Sequence, residues 1–591
     1  MKKLLLSLLA VVVAFSTSTA NAEDTPGFKW HTSLYSGTGA TMTSATDIIK
    51  ASDGNVLLFA TGGSTKTNHE ITYWQGEAVM SGADTNGNSA QNNALIMKID
   101  QSNGKKLWAV YSSAGDMNTG GSSITATSDG GAVVVLKERY SYGIPTDSPE
   151  FTDAKGDVFT FSNWTTTSVL NPYYLVVLKI SGEGAITAGT LVSADTTPEA
   201  DATTSAEGTP DGVYGNAIAV DNAGNVYLAG RLTKTLVFTS QDNRIYISPS
   251  PKNTTGWTGD SQASVGDMFI AKFDSDLNFQ KIYTSSNLAT REQIDKMIYC
   301  VDSDGKNGKL YFAGNLKAPA GTSFTYGDQT FTVDNAFDNI MYGAFTTDLT
   351  PSMVKCIQAT ANSKGSHVTQ IKEVNIIGET MYISGLVNGG LTDGTNAITN
   401  SKTALGGFII GLDAATGNWT KAKVDENTIG GYFGICSLNS SLYAYRYQLT
   451  SGVYLEKLNE DLTTESTTHL VNGSATTMMG GCSTGNAVLT ISRTKGATVG
   501  ETQYTFSAFN QIVSSYDVVS SGIDEVEADN NALSVEGQKG QVVINATKKA
   551  DVTITNVAGQ TVYSATVAEG KTVVELSAGA YLVGNKKVLV K

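Results

Sequence analysis

The chain has 591 residues, with 40 Lys and Arg against 55 Asp and Glu, so its formal net charge is −15. This acidic balance argues against a nucleic-acid partner, because phosphate binding requires clustered Lys and Arg. Gly supplies 61 residues and charged residues only 16%, which argues against helix-rich and coiled-coil folds. The 40% hydrophobic content excludes wholesale disorder.

The N-terminus has the segment order that is typical of a secretory signal peptide. Lys2 and Lys3 precede an apolar run over residues 4–15, and Ala20-Asn21-Ala22 follows it. The run is too short to cross a bilayer, since a spanning helix needs about 20 residues. We therefore expect residues 1–22 to be removed, which leaves an exported chain without a membrane span.

Two short patterns alternate along the chain, seven times each. The first is an apolar strand, a tight Asp/Asn/Gly turn and a second apolar strand, with copies around Asn55, Gly131, Asn225, Lys309, Glu379, Ser441 and Asn486. The second is a strand that ends in a polar turn, with cores that begin at Lys98, Lys179, Lys272, Ala344, Gly411, Lys457 and Ala508. Each pattern predicts one β-hairpin, because Gly and Asn supply the positive φ that tight turns require.

Seven pairs of hairpins predict an all-β fold, a seven-bladed β-propeller over residues 23–517. The insertions inside the repeats are long in the first blades and short in the last ones. Because they occur at one point of the repeat, we expect them on one face. The sixth and seventh repeats are weaker, which leaves counts of six and eight blades open.

The mature N-terminus carries a strand that precedes the first repeat. Residues 28–35 (FKWHTSLY) resemble residues 105–111 (KKLWAVY), which follow a second pattern. An open propeller would expose two sheet edges. We therefore expect this segment to complete the last blade and close the ring.

The third repeat resembles a known bacterial family. Its motifs are VDNAGNVYLAG at 220–230 and DMFIAKFDSDLN at 267–278, and a later hairpin, SFTYGDQTFTV at 323–333, fits the same family. These motifs resemble the SBBP-type β-propeller repeat, over about residues 28–517. The resemblance implies a propeller but no particular activity, since the family has no single one.

The composition changes after the propeller. Residues 518–531 are rich in acidic side chains and indicate a solvated linker. Residues 532–591 contain short alternating strands, which predict a small C-terminal β-sandwich.

The C-terminal segment resembles the sorting domains that Bacteroidetes-type bacteria use for type IX secretion (Por domains). The matching elements are residues 552–567 (VTITNVAGQTVYSATV), 577–583 (SAGAYLV) and the basic strand 586–591. The resemblance implies that the secretion machinery is a partner and that the location is the cell surface or the medium. The usual Pro-Asn-Pro opening is absent, so a related module without secretion activity, in a periplasmic protein, remains an alternative.

Zinc-protease and phosphate-loop motifs are absent from the sequence. HExxH and GxxxxGK[ST] do not occur, and neither a cofactor nor a metal is expected. The four cysteines fit no CxxC pattern and are interpreted as buried small apolar residues rather than disulfides. The four histidines, His31, His69, His367 and His469, are interpreted as ordinary strand or loop residues.

Three tryptophans are the candidate ligand-binding residues. Trp74, Trp164 and Trp257 fall one each in the insertions of the first three blades. Aromatic faces rimmed by polar residues can stack on sugars or hold a protein partner. The alternative is that each Trp packs its own insertion against its blade.

The sequence favours an exported, non-catalytic binding or structural propeller that recognises a glycan or a surface protein. Whether it is an enzyme is left open, with a non-enzyme favoured. The alternative is a polysaccharide hydrolase or lyase, which would need two carboxylates or a Tyr/His pair at the propeller axis. A third interpretation is a self-assembling surface-layer component.

Overall fold

The computed structural model describes most of the chain after residue 26. The described ranges are 27–36, 43–63, 71–80, 92–114, 116–139, 149–161, 173–194, 213–232, 236–240, 243–247, 267–285, 300–303, 308–426, 429–518, 533–547, 549–556, 560–583 and 586–591. The predicted signal peptide lies outside them, and so does the predicted linker apart from Val518. The chain divides into two compact units, Met1–Val518 and Val519–Lys591, and each is described by itself.

The described part of the first unit is built from 37 strands, which confirms the all-β class. The strands up to residue 247 are β1 (Phe28–Ser36), β2 (Thr43–Lys50), β3 (Val56–Gly63), β4 (Thr72–Trp74), β5 (Glu77–Met80), β6 (Asn92–Ile99), β7 (Lys106–Ala114), β8 (Asp116–Ala126), β9 (Ala132–Arg139), β10 (Glu150–Thr152), β11 (Val158–Thr160), β12 (Tyr173–Ile180), β13 (Ile186–Ala194), β14 (Val213–Val220), β15 (Val226–Leu232), β16 (Leu236–Ser240) and β17 (Asn243–Ile247). The remaining strands are β18 (Asp267–Phe273), β19 (Phe279–Thr284), β20 (Cys300–Ser303), β21 (Lys309–Leu316), β22 (Ser323–Tyr326), β23 (Gln329–Thr332), β24 (Asn339–Thr346), β25 (Pro351–Thr360), β26 (Val368–Ile377), β27 (Thr380–Thr392), β28 (Ala397–Asn400), β29 (Gly406–Asp413), β30 (Trp419–Asp425), β31 (Gly430–Leu438), β32 (Ser441–Gln448), β33 (Gly452–Leu458), β34 (Thr464–Asn472), β35 (Thr477–Thr484), β36 (Ala487–Val499) and β37 (Thr502–Asp517).

Sets of four antiparallel strands recur along this unit. In chain order they are β2-β3-β6-β7, β8-β9-β12-β13, β14-β15-β18-β19, β20-β21-β24-β25, β26-β27-β29-β30, β31-β32-β33-β34 and β35-β36-β37-β1. Their first strands contact one another in the order β2, β8, β14, β20, β26, β31, β35 and back to β2. We call the sets blades 1 to 7 and the ring of first strands the hub.

The fourth strand of blade 7 comes from the N-terminus. Strand β1 lies antiparallel to β37, with Phe28 opposite Tyr516. The Lys29 ammonium is 3.1 Å from the Asp517 carboxylate. Gly27 has φ +93° and lies against the Tyr516 ring, which leaves no room for a Cβ. We call β1 the closing strand, because no turn joins it to β37.

The seams between blades are apolar and are filled from both sides, because alternate side chains of a strand point to opposite faces. In blade 1, Leu58 belongs to a buried cluster with Leu489 of blade 7. Phe59, the next residue, belongs to a cluster with Val134 of blade 2. Burying one such side chain contributes about 1.5–3 kcal/mol, so these apolar clusters hold neighbouring blades together.

Most insertions form hairpins that extend the preceding blade. The β4–β5 hairpin pairs with β1 of blade 7, β10–β11 with β7 of blade 1, and β16–β17 with β13 of blade 2. The end of β27, which also pairs with β28, adds to β25 of blade 4, and the β36–β37 extension reaches β34 of blade 6. We call these hairpins straps. The sequence located the insertions but gave no sign of this pairing.

Three of the four lysines of the second pattern link neighbouring blades. Each of the three donates a hydrogen bond to a backbone carbonyl in the turn between the third and fourth strands of the next blade: Lys98 to Gly182 (3.2 Å), Lys179 to Ser275 (2.7 Å) and Lys272 to Thr347 (3.0 Å). The fourth, Lys457, pairs with Glu465 of its own blade at 2.9 Å. A buried ammonium needs such partners, because burying a charge without them is costly. Lys98 also forms an ion pair with Asp53 at 2.6 Å.

The seam between blades 5 and 6 differs from the others. Arg446 lies 2.7 Å from the carboxylates of both Asp425 and Glu456, and the Tyr432 hydroxyl donates to Glu456 at 3.0 Å. Blade 6 has only a short turn between β32 and β33, and therefore no strap. A charged network and a small apolar cluster thus occupy this seam, which no strap covers.

The second unit contains two antiparallel sheets around one apolar core. Its strands are β38 (Leu533–Gln538), β39 (Gln541–Ala546), β40 (Ala550–Asn556), β41 (Thr561–Val567), β42 (Gly570–Glu575), β43 (Gly579–Val583) and β44 (Lys586–Val590). The sheets have the orders β38-β39-β42 and β41-β40-β43-β44. In neither unit do the described residues include a helix with the length and apolarity of a membrane span.

Candidate functional site at the propeller hub

Five of the described hub strands contain a one-residue β-bulge. An extra residue bends a strand and re-aims the side chains beside it. The bulges lie between Ala45 and Asp47 in β2, Gly215 and Ala217 in β14, Ile371 and Glu373 in β26, Tyr432 and Ile435 in β31, and Met478 and Gly480 in β35. Strand β8 has a longer irregularity between Asn118 and Ser123. The recurrence of the bulge gives these blades corresponding positions at the hub.

The residue directly after the bulge is an acid in both blade 1 and blade 5. Asp47 accepts a hydrogen bond from the amide of the next residue and another from the amide of Ile124 in blade 2. Glu373 accepts one from Asn375 at 2.9 Å, and its carboxylate lies so close to Gly434 of blade 6 that a Cβ there would clash. Each acid therefore reaches across a seam to the hub strand of the next blade.

The hub strands of blades 6 and 7 each carry a cysteine thiol. Cys436 and Cys482 are free, and both lie on hub strands. Burial raises the pKa of Cys436 to about 11. Burial, followed by the charges of Asp47 and Glu373 among others, raises the pKa of Cys482 well above its usual value. Both thiols are therefore protonated at neutral pH and are poor nucleophiles.

Asp47 is a hub group whose charge can change near neutral pH. Burial raises its pKa to about 6, although its two backbone hydrogen bonds act in the opposite direction. Protein atoms surround its carboxyl group, but the residue as a whole remains partly accessible to solvent. Such a carboxyl can hold or release a proton at pH 6, as a general acid must. It can equally serve as a fixed acceptor that joins blades 1 and 2.

The chemistry available at the hub is that of carboxylates, an amide and protonated thiols. Among the residues that the structure describes, no group of three or more His, Cys, Asp or Glu side chains could hold a metal ion. The carboxylates of Asp47 and Glu373 both influence the Cys482 thiol. Two acids from blades far apart in sequence thus act on the same thiol.

The described histidines make structural contacts. His31 is 2.7 Å from the Tyr504 hydroxyl. His367 is 3.0 Å from the carbonyl oxygen of Thr360 and is buried. His469 stacks on Tyr454 with ring centroids 4.2 Å apart. His69 lies outside the described residues.

The three candidate tryptophans do not share one environment. Trp74 is only 1% exposed, donates a hydrogen bond to the Gly104 carbonyl at 2.9 Å and packs edge-to-face on Trp30. Its ring has no free face for a ligand, so at this position the structure favours the packing alternative and speaks against ligand binding. Trp164 and Trp257 lie outside the described residues.

The sequence reasoning missed both hub acids, although a signal was present. Asp47 opens the first-pattern segment DIIKASDGN, and Glu373 directly precedes the segment VNIIGET. Both stand at the same place in the repeat. Aligning the repeats by position, rather than searching for known catalytic motifs, would have singled them out.

Comparisons with known proteins give no family. No family model matches the chain, and no curated protein matches it. The two family resemblances seen in the sequence are therefore not confirmed.

Solved structures with partial similarity include propellers. The polysaccharide lyase Uly1 is 8% identical, with a TM-score of 0.36, over 83% of this chain and 99% of that one. The Dos1 propeller is 11% identical, with a TM-score of 0.35, over 84% and 95%. PorZ of Porphyromonas gingivalis, an essential surface component of the type IX secretion system, is 12% identical, with a TM-score of 0.21, over 93% and 81%. Similarities this weak assign neither activity nor partner.

Asp47→Asn should remove one component of the pH dependence of stability. A carboxyl whose pKa is raised on folding destabilises the fold once it ionises, so its effect grows as pH rises from the ordinary value of 3.8 to about 6. This gap corresponds to at most about 3 kcal/mol. We expect the free energy of unfolding to fall less between pH 4 and pH 7.5 in the variant, measured by urea denaturation.

Asp53→Asn is the matched control, because its effect on the pH dependence of stability should have the opposite sign. Burial acts to raise the pKa of Asp53, but hydrogen bonds from Lys98 and Asn55 hold it below its usual range. Its loss should therefore cost stability at neutral pH and less in acid. Identical pH profiles for the wild type and Asp47→Asn would contradict the assignment.

Proposed function

We propose that this chain is an exported β-propeller that acts as a non-catalytic binding or structural module at the cell surface or in the medium. A glycan or a surface protein is the proposed ligand. The insertion face of the first three blades is the proposed contact surface. The signal-like N-terminus and the resemblance of the C-terminal unit to sorting domains support export.

One observation carries the proposal for the insertion face. Successive strands of a blade alternate in direction, so all connections between second and third strands leave on the same side. The segment that contains Trp164 starts beside Phe161, which is 5% exposed and packs in the core between blades 1 and 2. The segment that contains Trp257 connects β17 with β18. The described strands β12 and β18, which follow these two segments, begin on this side of the ring, and this supports the proposal for the insertion face.

The chemistry suits a carbohydrate. A tryptophan ring can stack on the apolar face of a sugar, while neighbouring amide and hydroxyl groups bind its hydroxyls. Residues 162–172 and 248–266 supply Asn, Thr, Ser and Asp beside the two tryptophans. Since Trp74 is buried, we restrict the proposed ligand-stacking residues to Trp164 and Trp257.

The C-terminal unit has a surface that fits a role in export. Leu582 and Leu589 are 40% and 61% exposed on β43 and β44. Exposed apolar side chains of this kind favour contact with another protein. We propose the secretion machinery as that partner. In a periplasmic protein, the unit would instead be an accessory module.

Glycan-array binding tests the main proposal. The mature wild-type chain should bind at least one glycan class, and Trp164→Ala or Trp257→Ala should weaken that signal about tenfold or more with an unchanged melting temperature, as for loss of a stacking contact at a hot spot. Trp74→Ala is the control, because it should lower the melting temperature instead. Absence of binding by the wild type, or equal binding by all four proteins, would count against the proposal.

A polysaccharide hydrolase or lyase is the second candidate, favoured by the two hub acids. In this case Asp47 would donate a proton and Glu373 would act as the second carboxylate. Asp47→Asn and Glu373→Gln should then each abolish the release of reducing ends from acidic or neutral polysaccharides. Activity that survives both substitutions would exclude the hub as the catalytic site.

A further inference from the structure

The closing strand β1 is hydrogen-bonded on both edges by parts of the ring that are distant in sequence. On one edge it pairs with β37, the last propeller strand. On the other edge Leu34 lies opposite Trp74, Tyr35 opposite Tyr73 and Ser36 opposite Thr72 of β4. A strand from the N-terminus is thus held between blade 7 and the strap of blade 1.

The contacts between this strap and β1 are buried and specific. The Ser36 and Thr72 hydroxyls are 2.9 Å apart, and both residues are fully buried. Tyr35 stacks on Tyr73 with ring centroids 5.3 Å apart. Together with the buried Trp74, these pairs cover the C-terminal half of the closing strand.

One turn of blade 1 binds the closing strand and the strap at the same time. The Trp30 indole donates to the carbonyl of Gln101 at 3.0 Å, and the Trp74 indole donates to that of Gly104 at 2.9 Å. Gly104 also lies against the Trp30 ring, where a Cβ would come within 2.7 Å. Both indoles are thus anchored to the same turn, between β6 and β7.

We propose that the β4–β5 hairpin locks the closing strand, so that the ring opens only after this strap has been released. The straps on β7 and β13 cover strands that a turn already joins to their blades. The closing strand has no such link to β37 and is held only by non-covalent contacts. A second layer over it therefore acts where the ring would otherwise open most easily.

Hydrogen exchange of the full mature chain measures this opening directly. In Trp74→Ala, the amides of β1 should exchange at least tenfold faster than in the wild type, whereas those of β24 in blade 4 should be unchanged. A tenfold change corresponds to about 1.4 kcal/mol in the free energy of local opening. An increase of equal size in β1 and β24 would indicate global destabilisation and overturn the proposal.

Phe151→Ala is the matched control. Phe151 is fully buried on the equivalent strap, opposite Ser112 of β7. Its loss should not accelerate exchange in β1, because β7 remains joined to its own blade. If Phe151→Ala accelerated β1 as much as Trp74→Ala does, the lock would not be specific to the closing strand.

A disulfide between the closing strand and the strap tests the proposal independently, even if Trp74→Ala does not fold. In Ser36→Cys with Thr72→Cys, the paired positions suit a disulfide, since residues opposite each other on antiparallel strands are close enough for one. The oxidised variant should show β1 exchange at least tenfold slower than the same protein after reduction. Equal exchange before and after reduction would contradict the proposal.

Discussion

The pairing of β1 with β37 is the interaction on which the propeller depends. Blades 1 to 6 each take four strands from one continuous stretch of chain, but blade 7 takes its outer strand from the N-terminus. The Lys29–Asp517 ion pair and the tight fit of Gly27 on Tyr516 fix the register of this strand. The seams around the ring remain packed on both sides only while this pairing holds.

The blades are joined by several kinds of contact that act together. Apolar clusters fill the seams, lysines bridge to turns of the next blade, and straps add hydrogen bonds at the outer strands. The seam between blades 5 and 6 lacks a strap and contains the network of Arg446, Asp425 and Glu456 instead. A buried ion pair adds little net stability. We therefore expect the seam between blades 5 and 6 to be less rigid than the other seams. The divergence of the sixth repeat in sequence has its physical counterpart here.

Local features could be predicted from the sequence, whereas long-range pairings could not. The hairpin turns and strand alternation follow from neighbouring residues, which is why the repeats and the all-β class could be recognised. The straps could not, because Trp74 meets Leu34 through pairing between distant segments. For Trp74 the sequence leaves both a ligand surface and packing against its blade open, and its burial favours packing. The shared influence of Asp47 and Glu373 on Cys482 could not be predicted either, since it depends on the bulges and on the closure of the ring.

The account has a direct test in the thermal unfolding of two chains, residues 23–591 and residues 37–591. Without the closing strand, the shorter chain should unfold at a temperature lower by roughly 10 °C or more. Adding a peptide of residues 27–36 should restore much of the loss, because it can occupy the edge of β37. If the shorter chain melts at the same temperature as the longer one, the ring does not depend on its N-terminal strand and the account fails.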